Sequence, residues 1–153
     1  MDQHPPRKEF IMIRPYHAND ANAVLDIWLT ASLQAHAFIA ESFWRDQLAA
    51  MRDIYLPQAE TLVLEEDGEI LGFASLHEQR MAALFIAPSA QGQGLGKHLL
   101  DETKRRRSVL ELSVYSANTR ACRFYQACGF AVVAEQNDPH SGHPELVMRW
   151  QCE

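Results

Sequence analysis

This sequence predicts one α/β (α+β) domain, a mixed sheet of about seven strands with about four helices. Strand-like and helix-like segments follow one another in the order β-α-α-β-β-β-α-β-α-β-β. Its middle runs strand–helix–strand–helix–strand, which calls for some parallel pairing. Its flanks hold a tight hairpin and a terminal strand pair, which call for antiparallel edges. The 153 residues are enough to bury a core without disulfide or metal staples.

Residues 1–9 are polar and are expected to form a poorly ordered segment. The domain is expected over 10–153. Phe10 to Arg14 alternates enough for a short strand, ended by Pro15. Asn19 or Asp20 can cap a helix running to about Gln34, with Val24, Leu25, Trp28 and Leu29 on one apolar stripe. Ser42 can cap a second helix, Phe43 to about Tyr55, closed by Pro57. Thr61–Glu65 and Ile70–Leu76 read as strands joined by the turn pair Asp67-Gly68. Met81–Ala87 is a third strand, stopped at Pro88. A Gly-rich turn follows, then a helix to about Arg107. Val109–Val114 is a strand and Asn118–Cys128 a helix, with Gly129 at its C′ position. Phe130–Ala134 and Glu145–Trp150 close the chain as strands around the turn-rich loop Asn137–Pro144.

Composition narrows the function. A net charge of −6 argues against nucleic acid as the main partner, because phosphate binding needs a basic face. The run Lys104-Arg105-Arg106-Arg107 reads as a solvated helix end that suits the macrodipole. No apolar stretch approaches the ~20 residues that span a bilayer, and residues 1–9 show no secretory signal. Cys122, Cys128 and Cys152 match no zinc spacing. They are expected to be free thiols in a reducing, cytoplasmic setting. His140 and His143 lack the further ligands a metal site needs, so no metal is expected.

The stretch Leu84-Phe85-Ile86-Ala87-Pro88-Ser89-Ala90-Gln91-Gly92-Gln93-Gly94-Leu95-Gly96-Lys97 carries the chemistry. Three glycines stand between a strand and a helix start. They let the backbone turn sharply and approach a ligand, with the free N–H groups of the first helical turn forming an anion site. A pyrophosphate suits such a site. A Walker loop is excluded, because His98 follows Gly96-Lys97 and no Gly stands at position 91. A dinucleotide fingerprint is excluded by the spacing of Gly92, Gly94 and Gly96 and by their place in mid-chain.

Gln91-x-x-Gly94-x-Gly96 resembles the acyl-CoA signature of the GNAT N-acetyltransferases, [R/Q]-x-x-G-x-[G/A]. A second block, Asn118-Thr119-Arg120-Ala121-Cys122-Arg123-Phe124-Tyr125-Gln126-Ala127-Cys128-Gly129-Phe130, is similar to that family's N-x-x-A-x-x-F-Y-x-x-x-G-F. The resemblance extends over roughly residues 10 to 150 and is closest to the small single-domain bacterial branch, which includes peptidyl-lysine acetyltransferases. It implies a splayed acyl-CoA N-acyltransferase sheet, acetyl-CoA as cosubstrate and a primary amine as acceptor. It further implies that Gln91, Gly92, Gln93, Gly94, Leu95, Gly96 and Lys97 hold the pyrophosphate. Leu84, Phe85 and Ile86 would pair with the pantetheine arm as with an added strand, Asn118 would bond that arm, and Tyr125 would lie near the thioester sulfur.

Tyr125 suits that place, because a phenol can donate a proton to a departing thiolate. The strand Met81 to Ile86 carries no acid, so the base stays open among Glu78, Glu111, His36 and a water chain. A strand N–H near Phe85 would serve the oxyanion. The acceptor pocket is expected from the first two helices, their connection and the Asn137–Pro144 loop. There Trp28, His36 and Phe38 belong to an unusually aromatic stretch, either lining an amine site through cation–π contact or packing in the core. The resemblance implies a protein lysine or N-terminus as acceptor, with an acetyltransferase for a small amine or a non-catalytic CoA sensor as alternatives. A monomer and a homodimer are equally compatible with the sequence.

Overall fold

The computed structural model describes residues 11–153. The segment 1–9 and Phe10 lie outside the described residues. A seven-stranded sheet in the order β1-β2-β3-β4-β5-β7-β6 organises the chain. Its strands are β1 (Ile11–Pro15), β2 (Glu60–Glu66), β3 (Glu69–His77), β4 (Arg80–Ile86), β5 (Val109–Tyr115), β6 (Ala131–Asn137) and β7 (Pro144–Gln151). The expected mixed sheet is present, with β4–β5 as its parallel pair. Asp67 and Gly68 have φ of 52° and 84°, the two left-handed residues that a type I′ hairpin requires. Glu66 and Glu69 pair across them.

Two helical layers cover the sheet. On one face α1 (Ala21–Ala35) and α2 (Glu41–Arg45) bury Val24, Ile27, Trp28 and Trp44 against Val63 and Phe73. On the other, α5 (Leu95–Arg106) sets Leu95 and Leu99 on Leu62, Leu64 and Ala74. The helix α6 (Thr119–Ala127) packs beside Leu110, Leu112, Val114 and Met148. Along β5 alternate residues are buried, as a strand with one core face requires.

The single helix expected from Phe43 to Tyr55 is instead broken. It divides into α2, α3 (Leu48–Ala50), a π turn (Met51–Tyr55) and α4 (Leu56–Gln58). Gln47 explains the first break. Its backbone N–H goes to the Trp44 carbonyl, while its side chain takes the Phe43 carbonyl at 2.9 Å, the α-helical partner of its own N–H. Pro57 accounts for the second, because it has no N–H for the Asp53 carbonyl and its ring crowds that turn. Ala40, not Ser42, is the N-cap of α2. Asp20 stands at the N-cap of α1 but caps nothing there. Its carboxylate binds the Arg14 guanidinium through two bonds of 2.9 and 3.0 Å and accepts the His17 N–H.

The basic run is less solvated than expected. Lys104 bonds the Cys128 carbonyl and lies over the Trp150 ring at 5.0 Å. Arg106 and Arg107 both pair with Glu60 at 2.8 Å. The three cysteines are free thiols. Among the described residues no helix is long and apolar enough to cross a membrane.

The feature that positions the site is the parting of β4 from β5. Their register holds at Arg80 opposite Glu111 and extends no further. The strands open toward Leu84–Ile86, and the gap faces the start of α5 on one side and the start of α6 on the other.

Candidate functional site

β4 ends as Pro88 turns the chain through a 3-10 turn (Pro88–Ala90). Gly92 and Gly94 then adopt φ of 79° and 81°, left-handed values that L side chains avoid. Gly94 is the N-cap of α5, and no acidic residue stands in that helix's first turn. The first α-helical bond runs from the His98 N–H to the Gly94 carbonyl. The N–H groups of Leu95, Gly96 and Lys97 therefore have no intrahelical acceptor. Two left-handed glycines beside a helix N-terminus form a nest for an anion. The Gln91 side chain is occupied with the loop itself, donating to the Ile86 carbonyl at 3.0 Å.

A cavity of about 640 Å³ fills the gap between the strands. It brings together His36, Leu84, Phe85, Ile86, Gln91, Gly92, Gly94, Leu95, Gly96, Lys97, Asn118 and Tyr125, residues spread over 90 positions of sequence. Of the expected cofactor residues, Gln93 is exposed and is not part of the wall. Sequence reasoning missed Ala31, Gln34, Ala35, Thr119, Arg120 and Phe124, which also line it. Arg120 had a signal, since it lies inside the second motif and brings a second cation to the wall. The end of α1 had none, because nothing local shows that it folds against residues 84–121.

Asn118 is the N-cap of α6 and accepts the Ala121 N–H at 3.2 Å. Its side-chain nitrogen lies 3.3 Å from His36 Nε2. His36 is 7% exposed. Burial pulls its pKa down to about 4, with a smaller opposing effect from the Ser32 backbone. The ring is therefore neutral at physiological pH and a weak base. Tyr125 lines the cavity with its ring wedged between Phe124 and Phe130, centroids 5.2 and 5.6 Å away. Burial, and then the nearby Cys128 and Cys122, push its phenol above the ordinary range. It keeps its proton at any working pH and can act as a hydrogen-bond donor.

The remaining base candidates stand elsewhere. Glu78 is exposed in the β3–β4 turn with φ 54°, and Glu111 lies at the closed end of the β4–β5 pair. Neither lines the cavity, and no carboxylate does.

Trp28 takes the core place of the two that were open to it. It is 5% exposed and packs edge-on against Trp44 at 5.7 Å, so its ring belongs to the core. Phe38 lies one ring beyond the cavity wall. It meets His36 at 5.8 Å, Tyr115 at 5.7 Å and His143 at 5.1 Å. The helix connection and the loop after β6 thus meet through Phe38 and His143. Tyr115 ties that loop down by donating to Asp138. Asp138 also accepts the His140 N–H and the Ser141 hydroxyl. Burial opposes the Asp138 carboxylate, but these donors outweigh it and hold its pKa below the usual range. Among the described residues no group of three His, Cys, Asp or Glu side chains is placed to hold a metal ion.

Residues 57–132 match the acetyltransferase (GNAT) domain. The chain is 40% identical to the peptidyl-lysine N-acetyltransferase YiaC of Escherichia coli over 140 residues, 91% of this chain and 96% of that protein. The solution structure of apo YjaB from Escherichia coli superposes with a TM-score of 0.82 at 26% identity, covering 94% of this chain and 99% of YjaB. The fold also matches that of yncA, described as an acetyltransferase, from Salmonella typhimurium with its cofactor acetyl-CoA. There the TM-score is 0.69 at 24% identity, over 94% of each chain.

Proposed function

The chain belongs to the GNAT family of acetyl-CoA-dependent N-acetyltransferases, and from that premise we propose that its acceptor is the ε-amine of a protein lysine. The observation that carries the acceptor class is the 40% identity, over almost the whole chain, to a peptidyl-lysine N-acetyltransferase. The open side of the sheet supports it. β6, the edge strand beyond β7, is exposed along its whole length, and the loop that follows it reaches Phe38 through His143.

The cavity fits acetyl-CoA. The nest at Gly92 and Gly94, the free N–H groups of Leu95–Lys97 and the cations Lys97 and Arg120 suit its pyrophosphate. The parted edge of β4 at Leu84–Ile86 suits a pantetheine arm that pairs as a strand, with Asn118 opposite. When bound, acetyl-CoA supplies an activated acetyl thioester. Tyr125 would donate a hydrogen bond to the departing sulfur, and the proton that the attacking nitrogen sheds as the amide forms would complete the CoA thiol. A β4 backbone N–H near Phe85 stabilises the oxyanion that forms during direct attack. A free lysine is neutral in only roughly one molecule in a few thousand at pH 7. With no carboxylate in the wall, the amine loses its proton to solvent before it attacks.

The test compares kcat/KM for lysine peptides, N-terminal peptides, free amino acids and polyamines, with acetyl-CoA as donor. A preference for lysine peptides of about a hundredfold or more, which is about 2.7 kcal/mol, is the expected result. The same preference for a small amine would overturn the lysine assignment. Acetyl-CoA binding without turnover on any amine would favour a CoA sensor.

A further inference from the structure

Asn118 has one amide and several claims on it. Its Oδ1 accepts the Ala121 N–H at 3.2 Å, which settles which end of the amide is oxygen. The nitrogen, 3.3 Å from His36 Nε2, is therefore the donor of that bond. His36 Nε2 must accept, so the proton of the neutral ring sits on Nδ1. That Nδ1 is buried, and the Ser32 backbone is all that favours its proton, at less than full hydrogen-bond geometry. The ring is held by its neighbours, stacked on Trp44 at 5.1 Å and edge-on to Tyr115 at 5.1 Å.

An amide nitrogen has two hydrogens. One is taken by His36, and the second is left for the cavity that Asn118 lines. We infer that His36 is a positioning residue for the cofactor: it fixes the Asn118 amide so that the second hydrogen meets a carbonyl of the acyl-CoA pantetheine arm. The inference rests on the acetyl-CoA reading of the cavity. It links α1, on the acceptor side, to the cofactor through a contact spanning 82 positions of sequence. It also gives His36 a task other than general base. A ring whose Nε2 lone pair is already engaged, and whose other nitrogen carries a buried proton, has no free site for the amine's proton.

Removing the acceptor atom while keeping the ring isolates this role. His36→Phe retains an aromatic face for Trp44 and Tyr115 but leaves the Asn118 amide held at its oxygen alone, by the Ala121 N–H. His36→Gln places an amide oxygen near the position of Nε2. Binding is measured by calorimetry with two probes, acetyl-CoA and adenosine 3′,5′-bisphosphate, which lacks the pantetheine arm. Loss of one preorganised neutral hydrogen bond should weaken acetyl-CoA about tenfold in His36→Phe. Its KM should rise to match at nearly unchanged kcat, while bisphosphate binding stays at the wild-type level. His36→Gln should recover to within about threefold. The effect of Asn118→Ala should shrink in the His36→Phe background, because the two residues act through one contact.

Wild-type acetyl-CoA affinity in His36→Phe would overturn the inference. So would equal weakening of both probes in His36→Phe and His36→Gln, which marks a purely structural role. A kcat loss at unchanged KM would also overturn it, in favour of a direct chemical role. If the wild type binds bisphosphate and acetyl-CoA equally well, Asn118 meets no pantetheine and the positioning role fails alone. If it binds neither, the cofactor reading itself fails.

Discussion

Lowering the pH from about 7.5 to about 4.5 removes stability from this fold through His36. The ring is 7% exposed, and burial holds its pKa at about 4 where the ordinary value is 6.5. Between those values the ring is neutral in the folded chain and protonated in the unfolded one. The unfolded state binds the extra proton, so acid favours it. The contribution is fully present above the unfolded value of 6.5 and is lost progressively as the pH falls toward 4. At a pH of about 4.5 the loss integrates to about 2–3 kcal/mol. Urea unfolding followed by circular dichroism measures it, for the wild type and for His36→Gln, which has no proton to gain. Other acids titrate in this range in both proteins, so the difference between the two stabilities isolates His36. That difference should move by about 2–3 kcal/mol in favour of the variant, a shift of about 1–2 M in urea midpoint. A difference that stays flat with pH would refute the claim that the ring is buried and neutral.

Four further outcomes follow from the geometry. Gly94→Ala forces an L residue to φ 81° and should cost about 1–2 kcal/mol of stability, read by thermal unfolding. A Cβ at Gly96 meets Phe124 at an ordinary 3.5 Å, so Gly96→Ala should be neutral or stabilise by up to about 1 kcal/mol. Asp20→Asn breaks the paired bonds to Arg14 and should cost about 1–3 kcal/mol near neutral pH. The Arg14 bond, against a smaller opposing effect of burial, keeps the Asp20 carboxyl below its ordinary range. Its contribution is therefore present above about pH 4 and fades as acid protonates it, so the gap between wild type and variant should close at low pH. Tyr115→Phe removes the hydroxyl that ties the loop after β6 through Asp138. It should raise the acceptor KM about 3- to 10-fold with the acetyl-CoA KM unchanged, read by steady-state kinetics.

What was legible in the sequence was local. Asp67-Gly68 announces its hairpin because few other pairs tolerate two left-handed residues. Gln91 to Gly96 announces an anion loop because the glycines and the helix start adjoin in sequence. Trp28 shares a stripe with Val24 at helical spacing and lies in the core with it, so periodicity was the better guide there than aromatic character. The break at Gln47 was not legible, since it arises from a side chain competing with its own backbone N–H for one carbonyl. The insertion of β7 between β5 and β6 was equally hidden, because long-range pairing depends on the whole sheet. The contact of His36 with Asn118 joins two elements that carry no local mark of each other. The motif named Asn118, but only the fold shows what holds it.

The central claim is that this cavity binds acetyl-CoA and that Tyr125 assists the departure of its thiol. The most direct measurement is release of CoA thiol with a lysine-peptide acceptor, for wild type and Tyr125→Phe, with acetyl-CoA affinity determined in parallel by calorimetry. The account predicts turnover by the wild type and a loss of about 10²- to 10⁴-fold in kcat in the variant, at unchanged acetyl-CoA affinity. Equal turnover by both proteins would contradict the role of Tyr125, and no acetyl-CoA binding by the wild type would contradict the account as a whole.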